Sequence, residues 1–300
     1  MCGTGERLIK FRATRVAVRR QLAGELSPAA ASTADRRRHR AVHAVPYRRR
    51  LTGSFLAHLF KATAQQHHRA LAATIARFVP TEAVVFDVGA HAGQYTKLFA
   101  RAASAGRVYA VEPGSYARSI LRAVVWLHRL GNVSVLPMAL GEADGLDTLS
   151  VPVKARGSYG FGLSHLGRPQ DRWAAVEQEL VAVTTLDAVV AALSIDRVDF
   201  IKADIEGWEL AMLRGAENTL RRFRPAMLIE LSQEHLARAG DQIEAAFAFL
   251  SARGYAACKL MPDGELSPVD APLDGDFWFI PSNNGKIVVP GRPVGRARKP

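Results

Sequence analysis

The sequence contains few cysteines and no long uninterrupted hydrophobic run. Its 300 residues include only two cysteines, Cys2 and Cys258, too few for a disulfide framework or a zinc site, so we expect two reduced thiols. No stretch reaches the roughly 18 to 20 apolar residues that a membrane helix needs, and no early apolar run has the form of a secretory signal peptide. We therefore predict a cytoplasmic protein without a transmembrane segment. The 48% of hydrophobic residues excludes wholesale disorder.

Acidic residues are scarce at the two ends of the chain. Residues 1–50 hold 13 Lys and Arg against 3 Asp and Glu, and residues 286–300 hold 5 basic residues and no acidic one. Residues 51–285 instead carry a net charge of −3. A specific nucleic-acid reader carries its positive charge on the folded surface as a patch or stripe. We therefore predict a disordered N-terminal extension and a basic C-terminal tail that contact anionic partners weakly, and no specific nucleic-acid site.

Residues 51–285 carry the pattern of an α/β domain. Residues 54–79 have apolar side chains near helical spacing and predict one leading helix that ends before Pro80. Short apolar runs then alternate with helical stretches, one of them at 208–223, which predicts a doubly wound, mostly parallel sheet. The predicted strands span residues 83–89, 107–113, 132–140, 199–207, 225–232, 255–260 and 277–282.

A glycine-rich stretch at residues 141–185 interrupts this alternation. It contains possible strands at 148–153 and 180–184. Insertions in a regular α/β chain often form lids or substrate loops, so we predict that this stretch acts as a lid. Three aromatic residues could shape an acceptor pocket, namely Tyr159, Phe161 and Trp208.

The turn after the first predicted strand has the composition of a ligand site. The sequence FDVGAHAG places Asp87 at the carboxyl end of the strand, where doubly wound sheets bind ligands. Glycines let the backbone approach a ligand closely, and the helix that begins near Gln94 offers free N–H groups to a carboxylate. A cofactor with an ammonium and a carboxylate group suits this turn, and the amino-acid end of S-adenosylmethionine is such a group. The predicted cofactor contacts here are Asp87, Gly89, Ala90, His91 and Gly93.

Two later strand ends indicate a nucleoside. Glu112 ends the second predicted strand, where a carboxylate can accept hydrogen bonds from both hydroxyls of a ribose. Ala139, at the end of the third, could pack against an adenine edge. NAD carries the same ribose, so a nicotinamide-dependent oxidoreductase stays open as an alternative. The turn lacks the middle glycine of the dinucleotide pattern G-x-G-x-x-G, which argues against that alternative.

The fourth predicted strand carries charged side chains at alternating positions, Lys202, Asp204 and Glu206. On a strand these side chains share one face. A carboxylate there could remove the proton of an acceptor hydroxyl, with Asp204 the first candidate and Glu206 the second. Lys202 could steady a carboxylate or a developing alkoxide. The two acids could instead order the turn and the helix that follows.

Other assignments of the chemistry stay open. Imidazoles titrate near neutral pH, and the alternative bases are His91, His165 and His235. Asp204, Glu206 and Glu230 could together bind magnesium, but nothing in their spacing requires it, so no metal site is predicted. A non-catalytic or nucleic-acid-directed protein that uses the basic ends is a further alternative.

Several segments of the sequence resemble the FkbM-type methyltransferases. The matching segments, in order over residues 84–231, are VVFDVGAHAGQYTKLFA, YAVEP, GNVSVLPMALG, TTLDAVV, VDFIKADIEGWELAMLRGAENTL and RPAMLIEL. Among them KADIEGWELAMLRGA is the most specific. The resemblance implies a Rossmann-like class I methyltransferase fold with a seven-stranded sheet whose last strand runs antiparallel. It also implies S-adenosylmethionine as cofactor and O-methylation of a hydroxyl on a small molecule, sugar, lipid or polyketide.

Overall fold

The computed structural model describes residues 53–153, 165–166, 175–269, 271–283 and 286–287. The predicted extension at 1–50, most of the tail at 286–300, and the aromatic residues Tyr159 and Phe161 lie outside these ranges. The described α-helices are α1 (Gly53–Ala64), α2 (Ala72–Phe78), α3 (Gln94–Ala102), α4 (Ser115–Leu127), α5 (Leu186–Ala192), α6 (Glu209–Arg214), α7 (Glu217–Phe223), α8 (Gln233–Arg238) and α9 (Ile243–Ser251).

The strands in the described ranges form two sheets, one of nine strands and one of four. In chain order they are β1 (Val84–Val88), β2 (Arg107–Val111), β3 (Val133–Leu136), β4 (Ala139–Leu140), β5 (Gly145–Val153), β6 (His165–Leu166), β7 (Ala175–Thr184), β8 (Phe200–Ala203), β9 (Ala226–Leu231), β10 (Tyr255–Leu260), β11 (Leu266–Pro268), β12 (Gly275–Asn283) and β13 (Lys286–Ile287).

The larger sheet has the predicted architecture. Its strands lie in the order β11-β10-β12-β9-β8-β1-β2-β3, and β13 pairs with β12. Neighbours from β9 through β8, β1 and β2 to β3 pair in parallel, whereas β12 runs antiparallel between β9 and β10. The doubly wound, mostly parallel sheet with an antiparallel closing strand is therefore confirmed. Two short strands, β11 and β13, extend it beyond the seven strands that the resemblance implies.

Apolar side chains on both faces of this sheet form two cores. Along β1, Phe86 and Val88 belong to one core and Val85 to the other, because successive side chains of a strand point to opposite faces. Phe78 of α2 and Phe99 of α3 pack in the second core. Because these cores cover both faces of the larger sheet, the loops that follow the parallel strands meet at the edge formed by the carboxyl ends of those strands. No helix in the described part of the chain has the length and hydropathy to cross a bilayer.

The leading helix predicted at 54–79 is interrupted. The chain instead forms α1, a 3-10 turn at Arg69–Leu71, and then α2. A distant side chain accounts for the break, because the buried ammonium of Lys97 donates hydrogen bonds to the carbonyl oxygens of Ala62 (2.6 Å) and Gln65 (2.8 Å). These carbonyls lie at the end of α1, where a helix leaves such groups without intrahelical partners. The prediction of one continuous helix is wrong.

Two other predicted elements each divide in two. The strand predicted at 132–140 splits around Pro137, so that β3 joins the larger sheet and β4 the smaller one, since proline has no N–H for a sheet ladder. The helix predicted at 208–223 splits at Gly215 into α6 and α7. Gly215 lies against the loop after β4, where a β-carbon on it would stand 2.0 Å from the carbonyl oxygen of Gly141.

The predicted insertion at 141–185 contains most of the smaller sheet. Its strands lie in the order β4-β7-β5-β6. β5 and β7 are longer than predicted and pair antiparallel along the whole of β5, from Gly145 opposite Val183 to Val153 opposite Ala175. Leu149 of β5 is buried in the small core of this sheet, and Leu166 of β6 packs against it. The insertion is therefore largely a β-structure beside the larger sheet.

Candidate active site

A cavity of about 360 Å³ opens at the carboxyl ends of β1, β2 and β8. Most of the side chains predicted from the sequence to form a site lie together around it. Those that line the cavity are Gly89, Ala90, His91, Glu112, Ala139, Lys202, Asp204, Glu206 and Trp208. Asp87 and Gly93 do not line it, although both were predicted to contact a cofactor.

The two glycines of the turn after β1 are explained by packing. Gly89 has a φ of +72°, and a β-carbon on it would lie 1.9 Å from the backbone carbonyl oxygen of Asp204. Gly93 has a φ of +84°, and a β-carbon there would lie 2.8 Å from the side chain of Leu121. Both positions therefore favour glycine on conformational and steric grounds. Their predicted contact with a ligand stays a prediction.

Asp87 is buried behind the cavity wall. Its Oδ2 accepts a hydrogen bond from Thr96 Oγ1 at 2.5 Å, and its Oδ1 lies 3.9 Å from Lys202 Nζ. Oδ1 has no hydrogen-bond partner within the described ranges. Burial raises the pKa of the Asp87 carboxyl, although Lys202 acts in the opposite direction. The structure thus places Asp87 behind the cavity wall as a neighbour of Lys202, and its predicted contact with a cofactor stays a prediction.

Lys202 links the turn after β1 to the end of β8. Its buried ammonium donates hydrogen bonds to the carbonyl oxygen of Gly89 and to Asp204 Oδ2, both at 3.2 Å, and lies 5.1 Å from the centre of the Tyr95 ring. Burial disfavours the charged form, but Asp204 and Asp87 outweigh this effect and raise the pKa of Lys202. Lys202 is therefore a fixed positive charge inside the wall of the cavity.

The carboxylate of Glu112 is oriented by the backbone. Its Oε2 accepts a hydrogen bond from the His91 N–H and its Oε1 one from the Gly114 N–H, both at 2.8 Å. His91 has a φ of +52°, a conformation that is uncommon for a residue other than glycine. Burial raises the pKa of Glu112 to about 7 against the lowering effect of these hydrogen bonds. Each carboxylate oxygen can accept more than one hydrogen bond, so Glu112 retains capacity for a ligand.

The carboxyl groups of Asp204 and Glu230 line the other end of the cavity, and Asp276 lies beside Glu230 without lining it. Asp204 follows β8, Glu230 lies in β9, and Asp276 lies opposite Glu230 in the register of β12. Asp204 and Glu230 share a side-chain hydrogen bond. Burial favours the neutral form of Asp204, but Lys202 outweighs it and lowers the pKa of Asp204. Burial and the charge of Asp204 raise the pKa of Glu230 to about 8.

The loop after β8 is held by acids other than Asp204. β8 ends at Ala203, so Glu206 is beyond the strand, and its Oε2 lies 2.9 Å from His235 Nδ1. The buried carboxylate of Glu209 accepts hydrogen bonds from the backbone N–H groups of Ile205 and Gly207. The ordering role considered for Glu206 thus falls to Glu209, to which no motif in the sequence pointed. Within the described ranges no three His, Cys, Asp or Glu side chains are placed to hold a metal ion.

A comparison with protein-family models supplies the decisive observation. The model of the Methyltransferase FkbM domain matches residues 87–257, which run from the end of β1 to the first half of β10 and include both ends of the cavity. The chain belongs to the FkbM methyltransferase family. The matched FkbM domain is accordingly an S-adenosylmethionine-dependent methyltransferase domain.

Several solved structures are similar to the chain in fold. A methyltransferase FkbM from Methylobacillus flagellatus KT is 21% identical, with a TM-score of 0.44, over 67% of this chain and 44% of that one. A putative methyltransferase from Streptococcus mutans in complex with SAH is 9% identical, with a TM-score of 0.41, over 72% of this chain and 96% of that one. The chain thus spans less than half the length of the first of these. No curated protein matches the sequence.

One wall of the cavity is apolar. Ala139 of β4 is buried in it, and Leu149 of β5 and Leu166 of β6 line the same wall. The smaller sheet therefore contributes directly to the site of the FkbM domain. His165, an alternative base, lies beside Leu166 in β6, and its side chain is outside the described residues.

The segment before the FkbM match forms another wall. His68 lines the cavity and stacks on Tyr95, with ring centres 4.2 Å apart and planes 19° apart. Burial and the nearby charge of Lys202 lower the pKa of His68. The hydrogen bonds from Lys97 to the end of α1 anchor this segment to α3. No pattern in the sequence pointed to His68, because its position depends on this long-range anchor.

Proposed function

We propose that this FkbM domain transfers a methyl group from S-adenosylmethionine to a hydroxyl group of a small-molecule acceptor. One observation carries the proposal: a single cavity has a backbone-oriented carboxylate, Glu112, at one end and a hydrogen-bonded carboxyl pair, Asp204 and Glu230, at the other. The first suits a ribose, and the second suits a hydroxyl that must lose a proton. The turn after β1 lacks the middle glycine of the dinucleotide pattern, which argues against a nicotinamide-dependent oxidoreductase.

The residues around the cavity fit the cofactor. Glu112 would accept hydrogen bonds from the ribose hydroxyls, and the turn at residues 89–91 would contact the cofactor through its backbone. Ala139 and Leu149 supply an apolar surface of the kind that an adenine ring packs against. When bound, S-adenosylmethionine supplies a methyl group on a positively charged sulfur that is a good leaving group. The acidic groups at the acceptor end, Asp204 and Glu230, would favour binding of a positively charged group.

The chain's own residues would prepare the acceptor. A neutral alcohol is a weak nucleophile, so its hydroxyl has to be oriented and relieved of its proton. Asp204 stays ionised beside Lys202 and would accept a hydrogen bond from the hydroxyl. Lys202, fixed by Asp87 and Gly89, would hold Asp204 in position. Glu206 lines the cavity but is paired with His235, so it would act on the shape and charge of the acceptor end.

The remaining parts of the chain extend this proposal. We place the methyltransferase domain at residues 51–285, with the insertion at 141–185 as its lid. The acceptor would be a small molecule, and the reaction would take place in the cytoplasm.

Calorimetry with S-adenosylhomocysteine tests the cofactor half of the proposal. The wild-type chain should bind it, and Glu112→Ala should weaken binding by about tenfold or more, because two or more hydrogen bonds to a charged group are lost. Glu82→Ala, at an exposed position outside the cavity, is the matched control and should bind like the wild type. An absence of binding heat in the folded wild-type chain would refute the proposal. Transfer of tritiated methyl groups to a metabolite extract, followed by mass spectrometry, would then identify the acceptor.

A further inference from the structure

The carboxyl pair at the acceptor end is asymmetric. Asp204 has a cation at 3.2 Å, the ammonium of Lys202. Glu230 forms no ion pair within the described part of the chain. Glu230 lines the cavity, and the residue as a whole is exposed, although enough of its carboxyl group is buried to raise its pKa. The two members of the pair therefore differ in their electrostatic surroundings although they share a hydrogen bond.

This asymmetry decides which carboxyl group holds a proton. Two carboxyl groups in contact do not both ionise readily, because their negative charges repel each other. Lys202 stabilises the charge on Asp204, so the proton of the pair stays on Glu230. Once that proton leaves, Glu230 is a stronger base than Asp204, and it faces the cavity. Asp204, with its charge already neutralised by Lys202, is suited to orienting a hydroxyl.

We propose that Glu230 is a further catalytic residue, the base that takes the proton of the acceptor hydroxyl while Asp204 orients that hydroxyl. The proposal rests on the methyl transfer proposed above. The O–H bond of the acceptor breaks and its proton passes to a carboxylate oxygen of Glu230. The electron pair left on the oxygen forms the new bond to the methyl carbon, and the pair of the broken carbon–sulfur bond stays on sulfur. Glu230 later releases the proton to solvent through the exposed side of its carboxyl group.

A pH dependence follows from this assignment. The reactive form of the pair has both carboxyl groups ionised. Since the surroundings raise the pKa of Glu230 to about 8, the transfer rate should rise about tenfold per pH unit below that value and level off above it. The titratable and charged groups that face Glu230 are Asp204, Glu206, Asp276, Lys202 and Tyr95.

The test compares three substitutions. Glu230→Gln keeps the size of the side chain and a hydrogen bond to Asp204 but removes the base, whereas Glu230→Asp keeps a carboxylate. Glu244→Gln, at an exposed position on α9 that does not line the cavity, is the control. Each variant is titrated with S-adenosylhomocysteine in a calorimeter and is then assayed for single-turnover methyl transfer to a metabolite extract between pH 6 and pH 9.5.

The expected result separates binding from chemistry. Glu230→Gln should bind S-adenosylhomocysteine within about twofold of the wild type and lose about 10²–10⁴-fold in transfer rate, together with the alkaline rise. Glu230→Asp should recover part of the transfer rate and part of its increase with pH. A Glu230→Gln variant that transfers within about threefold of the wild type, or that keeps the rise, overturns the proposal. A wild-type chain that neither binds nor transfers would instead overturn the proposed function.

Carbon-13 NMR of the glutamate carboxyl groups gives an independent readout without an acceptor. One resonance that titrates near pH 8 should be absent in Glu230→Gln and should titrate at lower pH in Asp204→Asn, because the neighbouring negative charge is gone. The resonance that disappears in Glu230→Gln belongs to Glu230. If that resonance titrates below about pH 6 in the wild type, the proton of the pair does not stay on Glu230, and its assignment as the base is wrong.

Discussion

Replacement of Glu112 by glutamine should change how the stability of the protein depends on pH. Glu112 is 7% exposed, and burial raises its pKa to about 7 from the ordinary value of 4.5. The folded state therefore holds the Glu112 proton more tightly than the unfolded state does. The stability that this proton contributes is fully present below pH 4.5 and is lost as the pH rises to 7. Glutamine does not titrate, so Glu112→Gln removes this loss.

The size of the effect follows from the two pKa values. With 4.5 in the unfolded state and about 7 in the folded state, the wild-type chain loses about 2.5 kcal/mol of unfolding free energy between pH 5 and pH 8 through this one group. The substitution also lowers the unfolding free energy in a second way. The NH2 group of the glutamine faces one of the two backbone N–H groups from which Glu112 accepts a hydrogen bond, so one donor is left without an acceptor. That decrease does not depend on pH. The other titrating groups, among them Glu209, are common to both proteins and cancel in the comparison.

Urea unfolding curves at pH 5 and pH 8 measure this difference. The unfolding free energy of wild type minus that of Glu112→Gln should be about 2.5 kcal/mol larger at pH 5 than at pH 8. A difference that does not change with pH, or that is larger at pH 8, would show that burial does not raise the pKa of Glu112. The two backbone hydrogen bonds would then dominate its environment.

Two further substitutions test the packing around the site. Lys97→Met should lower the unfolding free energy by about 1–3 kcal/mol, because two carbonyls lose a charged donor. It should also weaken S-adenosylhomocysteine binding in calorimetry, because the cavity wall that contains His68 loosens. Unchanged affinity would contradict that link, and Lys61→Met, at an exposed position, is the control. Gly215→Ala should lower the unfolding free energy in urea by at least about 2 kcal/mol, since its β-carbon would clash with a backbone carbonyl. Gly131→Ala, where no atom lies within 4 Å of the added carbon, should change it by less than about 0.5 kcal/mol. Equal effects at the two glycines would refute the steric reason.

Much of the sheet could be predicted from the sequence because its signals are local. VVFDV is a short apolar run followed by a glycine-rich turn, and it forms β1 as predicted. Element boundaries failed where a distant residue decides them. Lys97 ends α1 through hydrogen bonds to a segment more than 30 residues away, and Gly215 breaks a helix because the backbone of Gly141 lies against it. Neither contact is visible in a window of neighbouring residues.

The candidate site was predictable to the extent that topology determines it. Parallel strands end at one edge of a sheet, so Glu112 and Asp204, each near the end of a strand, had to lie near each other. Glu230 met the same condition at the end of the fifth predicted strand, but only a magnesium role was considered for it. A role as a base is suggested only by its neighbours in the structure, because the charges of Asp204 and Asp276 raise the pKa of its carboxyl group. The positions of these acidic residues were therefore easier to predict from the sequence than their chemical roles.

The roles of the acids depend on strand register, which the sequence pattern does not fix. In the pairing of β1 with β8, Asp87 lies directly opposite Lys202, and this register places a second carboxyl group beside the lysine. With Asp204 on the other side, the single ammonium serves two carboxyl groups. In the pairing of β9 with β12, Asp276 lies opposite Glu230 and adds negative charge beside it. A shift of either register by one residue would move a side chain to the opposite face of the sheet, so the proposed division between orienting acid and base depends on how the strands align.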